Sequence, residues 1–465
     1  MYLRILFIIA FLGTFSAAHA EDPFERQFTP INSFTESLLQ KTKNQISSLS
    51  DTAADLPAAS LSSAIALSSS SATSSSSSVA IVKGKNPYNL PNALMPLWDS
   101  MSLRQKAAQM IMVFLTTSQF AIENEIGGVL ITGKHLSNVD SYQKRITEIN
   151  DSLRIPLFVA TDQEGGIVNR LRSHSSKWNN LPSAREMRIM DTAKIHSLSN
   201  KIGQALKEIK INMNLAPVLD PSKDHRNTNS FMEESRRSWG YDTTNAYKVR
   251  SFVQGMRENG IICVSKHFPG YDSWTNSDLQ IAISASPLEK IQKNILFFKT
   301  LADDIPVTMM SSVRFLRISS RPAVFNKNIV KITREKTPDM VVLTDDLWGT
   351  SLRAWASGKD HLPPRKSYPE KDFKRLVTAI IDAGNDILMI SYTSKAKDML
   401  DIMMELSEKS SKYKRRIEDS AARILKLKYK AGILREVSGI RLQVFWQWLV
   451  VSKQWLGNWN VIQTP

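Results

Sequence analysis

Carboxylates, cations and one imidazole stand where apolar runs of this chain end. Asp162 and Glu164 follow Leu157–Ala160, and Asp220 follows Met213–Val218. Lys266 and His267 follow Ile261–Val264, and Asp345 and Asp346 follow Met340–Leu343. Arg170 and the stretch Arg236-Arg237-Ser238-Trp239-Gly240 lie in the loops downstream. If the runs are parallel strands, these groups share one end of a sheet, the end at which α/β barrels keep their chemistry. Such a ring suits binding of a polyhydroxyl ligand and stabilisation of a developing oxocarbenium-like charge. Other chemistries lack their residues. Gly165-Gly166 has no phosphate-loop context, no zinc-ligand spacing occurs, and no basic helix carries interleaved aromatics, so the sequence gives no sign of a nucleic-acid partner.

The elements that must position these groups alternate. Apolar or β-branched runs at Met110–Phe114, Gly128–Ile131, Leu157–Ala160, Met213–Val218, Ile261–Val264, Ile305–Met310, Met340–Leu343 and Ile387–Ile390 read as strands. Helix-length segments such as Thr192–Ile209, Thr244–Asn259 and Ser286–Ala302 lie between them. Strand and helix alternation of this kind predicts an α/β fold, a (β/α)8 TIM barrel forming a single catalytic domain. A doubly wound open sheet is the structural alternative, and the gap from Phe114 to Gly128 is short for a full helix. Lys414–Lys430 reads as a closing amphipathic helix with Gly432 as its C-terminal cap.

The flanks of the 465-residue chain differ in character. Residues 1–20 carry Arg4, an apolar core from Ile5 to Phe15 and Ala18-His19-Ala20, the pattern of a cleaved secretory signal. Residues 21–45 form a short N-terminal segment, and residues 46–87 form a Ser/Ala-rich flexible linker with too little apolar surface to order itself. The globular domain is expected at 88–435. An aromatic-rich tail, 436–465, holds Phe445, Trp446, Trp448, Trp455 and Trp459. Packing on the barrel, contact with a membrane surface and an aromatic platform for sugars all fit that tail. The single cysteine, Cys263, sits in an apolar strand and excludes an intramolecular disulfide. A net charge of +16 favours anionic surroundings, such as an envelope polymer.

Four motifs in order, Asp162-Gln163-Glu164-Gly165-Gly166 with Arg170, Arg237-Ser238-Trp239-Gly240, Lys266-His267-Phe268-Pro269-Gly270 and Thr344-Asp345-Asp346-Leu347, together resemble glycoside hydrolase family 3. The closest branch in appearance is the single-domain β-N-acetylhexosaminidases that trim peptidoglycan. The resemblance spans roughly residues 90–435, with weaker echoes at Gly127-Gly128 and Ala383-Gly384-Asn385-Asp386. It implies a retaining mechanism without metal or nucleotide cofactor, with a covalent glycosyl intermediate on Asp345 and a supporting or capping role for Asp346. It also maps sugar binding onto Asp162, Arg170, Arg237, Lys266 and His267. A carboxylate at a strand end can attack an anomeric carbon in line, which fits Asp345.

One loop departs from the family. Its branch usually carries an Asp-Ser-His triplet after the Lys-His-Phe-Pro-Gly motif, with the histidine as general acid/base. Here the loop reads Tyr271-Asp272-Ser273-Trp274-Thr275-Asn276-Ser277-Asp278. The best match puts Asn276 at the aspartate and Asp278 at the histidine, making Asp278 the expected acid/base and Asp272 the second candidate. Ser311-Ser312 likewise replaces the usual Ala-His. The expected function is an exported exo-β-N-acetylglucosaminidase acting on peptidoglycan fragments or related glycans. A glycan-binding protein without catalysis is the alternative the altered loop raises. A β-glucosidase is the third reading, although those enzymes normally carry a second α/β domain.

Overall fold

The computed structural model describes residues 86–358 and 368–435. The signal at 1–20, the segment 21–45, all but the last two residues of the linker and the aromatic tail lie outside the described residues. Eight parallel strands form one sheet: β1 (Ile111–Phe114), β2 (Gly128–Ile131), β3 (Phe158–Thr161), β4 (Met213–Asn214), β5 (Ile262–Phe268), β6 (Val307–Met310), β7 (Val341–Leu343) and β8 (Leu388–Ile390). Each coincides with one of the apolar runs. β8 pairs with β1 in the register Ile111 to Leu388, which brings the first and last strands together. The remaining seam closes through a parallel bridge between Leu343 and Ile387, with Thr344 N–H donating to Ile387 O at 2.9 Å. The sheet is therefore a barrel, and the open-sheet alternative is set aside. Strands covered on both faces must be apolar throughout, which is why they read as runs and not alternations.

Helices follow the strands as connectors, among them Val139–Ser152, Thr192–Glu208, Thr243–Arg257, Leu288–Thr300 and Glu370–Ala383. The short first gap holds a single six-residue helix, Ser118–Glu123, started by the Thr117 side chain. Gly127 marks the tightest approach: a Cβ there would lie 2.0 Å from Gln109 O. The last helix among the described residues, Ser411–Lys430, crosses the N-terminal end of the barrel. Its fully buried Lys428 donates to Gln109 Oε1, Gly127 O and Pro156 O at 2.7–2.9 Å, which satisfies all three of its donors. Beneath it Leu90, Leu94, Trp98, Ala422, Leu425 and Leu434 share an apolar cluster. Side chains of this helix thus cover the N-terminal end of the barrel, and the polar strand ends lie at the opposite end. Cys263 is buried in β5, and burial pushes its thiol up to about 12. Among the described residues no helix is long and apolar enough to cross a membrane.

Candidate active site

The mouth is assembled from loops pinned at their first residues. After β3, Gln163 exchanges two hydrogen bonds with Asn214 of β4, each 2.9 Å. The Gln163 side-chain oxygen then accepts the backbone N–H groups of Arg170 and Leu171 at 2.8 and 3.0 Å. This fixes where Arg170 leaves the backbone. Gly165 takes a φ of +94°, and a Cβ there would meet Pro182 O at 2.2 Å, so both conformation and space demand glycine.

Glu164 is the hub of the cationic side. Its carboxylate takes a forked pair from Arg237 at 2.8 and 2.9 Å and an ammonium contact from Lys266 at 2.7 Å. Lys266 also reaches Asp162 Oδ1 at 2.7 Å, while Arg170 stands 3.8 Å from Asp162 Oδ2. Burial opposes charge on Glu164, but Arg237 and Lys266 outweigh it and hold the carboxyl down to about 2. Burial likewise opposes the Lys266 ammonium, only 2% exposed, and Asp162 and Glu164 outweigh it and leave its pKa raised. A lysine and an arginine compensated in this way stay charged while out of water. Asp162 is half-buried, with Lys266 and Arg170 at its two carboxyl oxygens.

His267 is held from two sides by Asp220, whose side chain is fully buried. The carboxylate accepts the His267 backbone N–H at 2.7 Å and contacts Nδ1 at 2.6 Å. Nδ1 is thereby committed and Nε2 is the ring atom left for a ligand. The Lys266–His267 and Phe268–Pro269 peptide bonds are cis.

The loop after β5 is organised by Tyr271. Its hydroxyl donates to Thr275 O at 2.6 Å and accepts the Ser277 N–H at 2.7 Å. Ser351 N–H donates to Ser277 O at 3.0 Å, which docks the loop on the start of the helix after β7. Asp278 is carried to the same edge, with one carboxyl oxygen 3.7 Å from where a Gly349 Cβ would stand. Asn276 supports it through the backbone, its Oδ1 accepting the Asp278 N–H at 3.0 Å and leaving the Asp278 carboxyl unengaged by Asn276. Asp272 is elsewhere employed: it is buried and bonded to the Ser286 hydroxyl.

At the end of β7, Asp345 accepts its neighbour's backbone N–H at 2.8 Å and the Ser312 hydroxyl at 3.0 Å. Asp346 turns the other way and accepts from Trp348 N–H at 3.0 Å and Ser391 N–H at 2.9 Å. Burial pushes the Asp346 carboxyl above its usual value. Trp348 stacks on Tyr392 with ring centroids 4.4 Å apart and forms an aromatic flank beside this strand end. As a residue Asp278 is exposed, yet protein atoms crowd its carboxyl and the charges of Asp345 and Asp346 repel its ionised form. These causes push it up to about 7, against opposing pulls from His267 and Arg237.

Ion pairs thus link Asp162, Arg170, Arg237 and Lys266 through Asp162 and Glu164, while Asp278 lies within the electrostatic reach of Asp345, Asp346, His267 and Arg237. Sequence reasoning passed over Asn214, gave Gln163 and Asp220 no role, and noted Ser312 only as a departure from the family's Ala-His. Asp220 carried a signal as a carboxylate shortly after an apolar run, and Ser312 as the residue standing where the family has a histidine. Among the described residues no cluster of three or more His, Cys, Asp or Glu side chains is arranged around a metal position.

Residues 102–427 match the glycosyl hydrolase family 3 N-terminal domain. The beta-hexosaminidase LpqI of Mycobacterium tuberculosis is 30% identical over 282 residues, 57% of this chain and 68% of that protein. A beta-hexosaminidase of Pseudomonas aeruginosa is 30% identical over 232 residues, 48% of this chain and 67% of that protein. Among solved structures, a beta-N-acetylhexosaminidase from Beutenbergia cavernae superimposes with a TM-score of 0.58 at 24% identity. That match covers 70% of this chain and 98% of the other, and at this identity it speaks for the barrel alone.

Proposed function

The chain belongs to glycosyl hydrolase family 3 and is a glycoside hydrolase, and from that premise we propose that it removes terminal N-acetylglucosamine with retention of configuration. The observation that carries this reading is the pairing of Asp345 with Asp278 at one rim. Asp345 accepts two hydrogen bonds and suits a carboxylate nucleophile. Asp278 is pushed up to about 7 and can hold a proton at neutral pH.

In the first step an Asp345 oxygen bonds to the anomeric carbon while the glycosidic C–O bond breaks. Asp278 transfers its proton to the departing oxygen. In the second step Asp278, now a carboxylate, takes a proton from water as that water bonds to the anomeric carbon and the Asp345 ester breaks. Asp162, Arg170 and Lys266 hold ring hydroxyls on the opposite side, and His267 Nε2 offers a further contact. Asp162 and Glu164 keep Lys266 charged and in place, and Arg237 holds Glu164 from its other side. The names of the relatives, beta-hexosaminidases, support an N-acetylhexosaminide substrate. The signal-like residues 1–20 support export, and peptidoglycan fragments are the glycan class that suits an exported enzyme of this branch.

The test is trapping. A slow fluorinated N-acetylglucosaminide should leave one sugar on Asp345, read by peptide mass, and Asp345→Ala should lose both the adduct and turnover with its thermal unfolding intact. Affinity for muropeptides without adduct or turnover would make the protein a glycan binder, and this reading would fall.

A further inference from the structure

At the floor of the barrel, Asp386 is fully buried two residues before β8, and more positive charge faces it than one carboxylate balances. Arg334, Arg416 and Arg423 all direct guanidinium groups at it, together with the Ser420 hydroxyl and the Val342 N–H. One carboxylate thus faces three guanidiniums, each less than a fifth exposed. Burial, together with the charges of Arg423 and Arg334, brings Arg416 down to about 10 despite the pull of Asp386. The surplus is enlarged around it. The three arginines line a cleft of about 720 Å³ whose walls also carry Lys327, Lys331, Lys412 and Arg415. Asp382 and Asp419 are the only acids among its described lining residues; Lys412 occupies Asp382, and Asp419 offsets part of the charge of Arg334 and Arg423, which leaves seven lining cations against these two acids and Asp386. Among the described residues Lys327, Lys331 and Arg415 form no ion pair.

The helix Ser411–Lys430 makes the surplus harder to explain by stability alone. Its first six residues include Lys412, Lys414, Arg415 and Arg416, and its first turn holds no acid. Cations at a helix N-terminus oppose the macrodipole, where carboxylates would be favoured. A local arrangement that works against its own element marks a functional site when something else compensates it. The missing compensation is negative charge.

We propose that this cleft binds phosphate groups, at the end of the barrel opposite the catalytic mouth. Phosphate oxygens match the fork of a guanidinium and accept from several cations at once. The volume exceeds that of a single phosphate, so the cleft takes a chain of phosphates or a phosphate borne on a sugar or polyol. Binding there tethers the enzyme to an anionic polymer without touching the glycan site.

Titration calorimetry of the whole protein with inorganic tripolyphosphate tests this. Saturable binding is expected, weakened about tenfold by Lys331→Glu/Arg415→Glu and less by Lys331→Gln/Arg415→Gln, which covers a failure of the first variant to fold. Lys207→Glu, on another helix, should bind as the wild type does. Hydrolysis of an aryl N-acetylglucosaminide should be unchanged in all three, which separates this proposal from the catalytic one. Displacement of tripolyphosphate by glucose 6-phosphate would assign the cleft to phosphate on a sugar. Displacement by inorganic phosphate alone would assign it to the free ion. Absence of saturable binding, or equal binding by the wild type and both double variants, overturns the proposal.

Discussion

The alkaline limb of activity should belong to Asp278. As a general acid it must be protonated, so activity is present below its pKa and lost as pH rises through it. At its ordinary value of 3.8, only about one molecule in 1,600 would carry the proton at pH 7; at about 7, about half do. The crowded rim therefore raises the acid-competent fraction by a factor of about 800. By pH 8 the protonated share falls to about one in eleven, so kcat/KM for an unactivated substrate should drop about fivefold from its pH 7 value. The assay is a pH profile with two aryl N-acetylglucosaminides, one with an activated phenol and one without. Asp278→Asn should remove the alkaline limb and slow the unactivated substrate by about 10²–10⁴. The activated one should lose less in the first step. Azide, which attacks without a base, should restore release of the sugar from the second step. An unchanged alkaline limb in Asp278→Asn would refute the assignment and direct attention to another acid.

Three further outcomes follow from the same geometry. Asp346→Asn removes one of the charges that repel ionised Asp278, so the alkaline limb should move to lower pH in the kcat/KM profile. Glu164→Gln leaves Lys266 and Arg237 buried without their shared partner and should cost about 3 kcal/mol in urea unfolding and raise KM. Because Glu164 is held at about 2 against an ordinary 4.5, its stabilisation is complete above pH 4.5 and fades as pH falls toward 2, a window that the variant should lack. Asp386→Asn strands three guanidiniums and should cost about 3–5 kcal/mol by the same measurement. Its pKa is depressed as well, so the wild type should lose this contribution only in strong acid.

Much of the fold is legible because its signals are local. A strand covered on both faces must be apolar along its length, so all eight strands could be read from runs of four to six residues. Motif residues could be placed at strand ends for the same reason. Partnerships are another matter. Asp220 and His267 lie 47 positions apart, and Glu164 and Arg237 lie 73 apart. Nothing in either local pattern names the other. Asn276 illustrates the limit: its type suggests hydrogen bonding to Asp278, but only the turn geometry decides that the backbone N–H is the group it binds.

By itself the sequence determined the element order, the apolar barrel wall and which chemical groups stand at strand ends, since each follows from composition and spacing within a few residues. The tertiary structure decided that the sheet closes, through β8 on β1, and that closure bends distant strand ends into one ring. It decided that Glu164 serves two cations, that Asp220 commits one nitrogen of His267, and that the Ser277–Ser351 contact brings Asp278 into the field of Asp345. Burial of the carboxyl first, and then the charges of Asp345 and Asp346, set the proton affinity of Asp278. A carboxyl group has an ordinary pKa wherever it occurs in a chain, and only neighbours in space can change it.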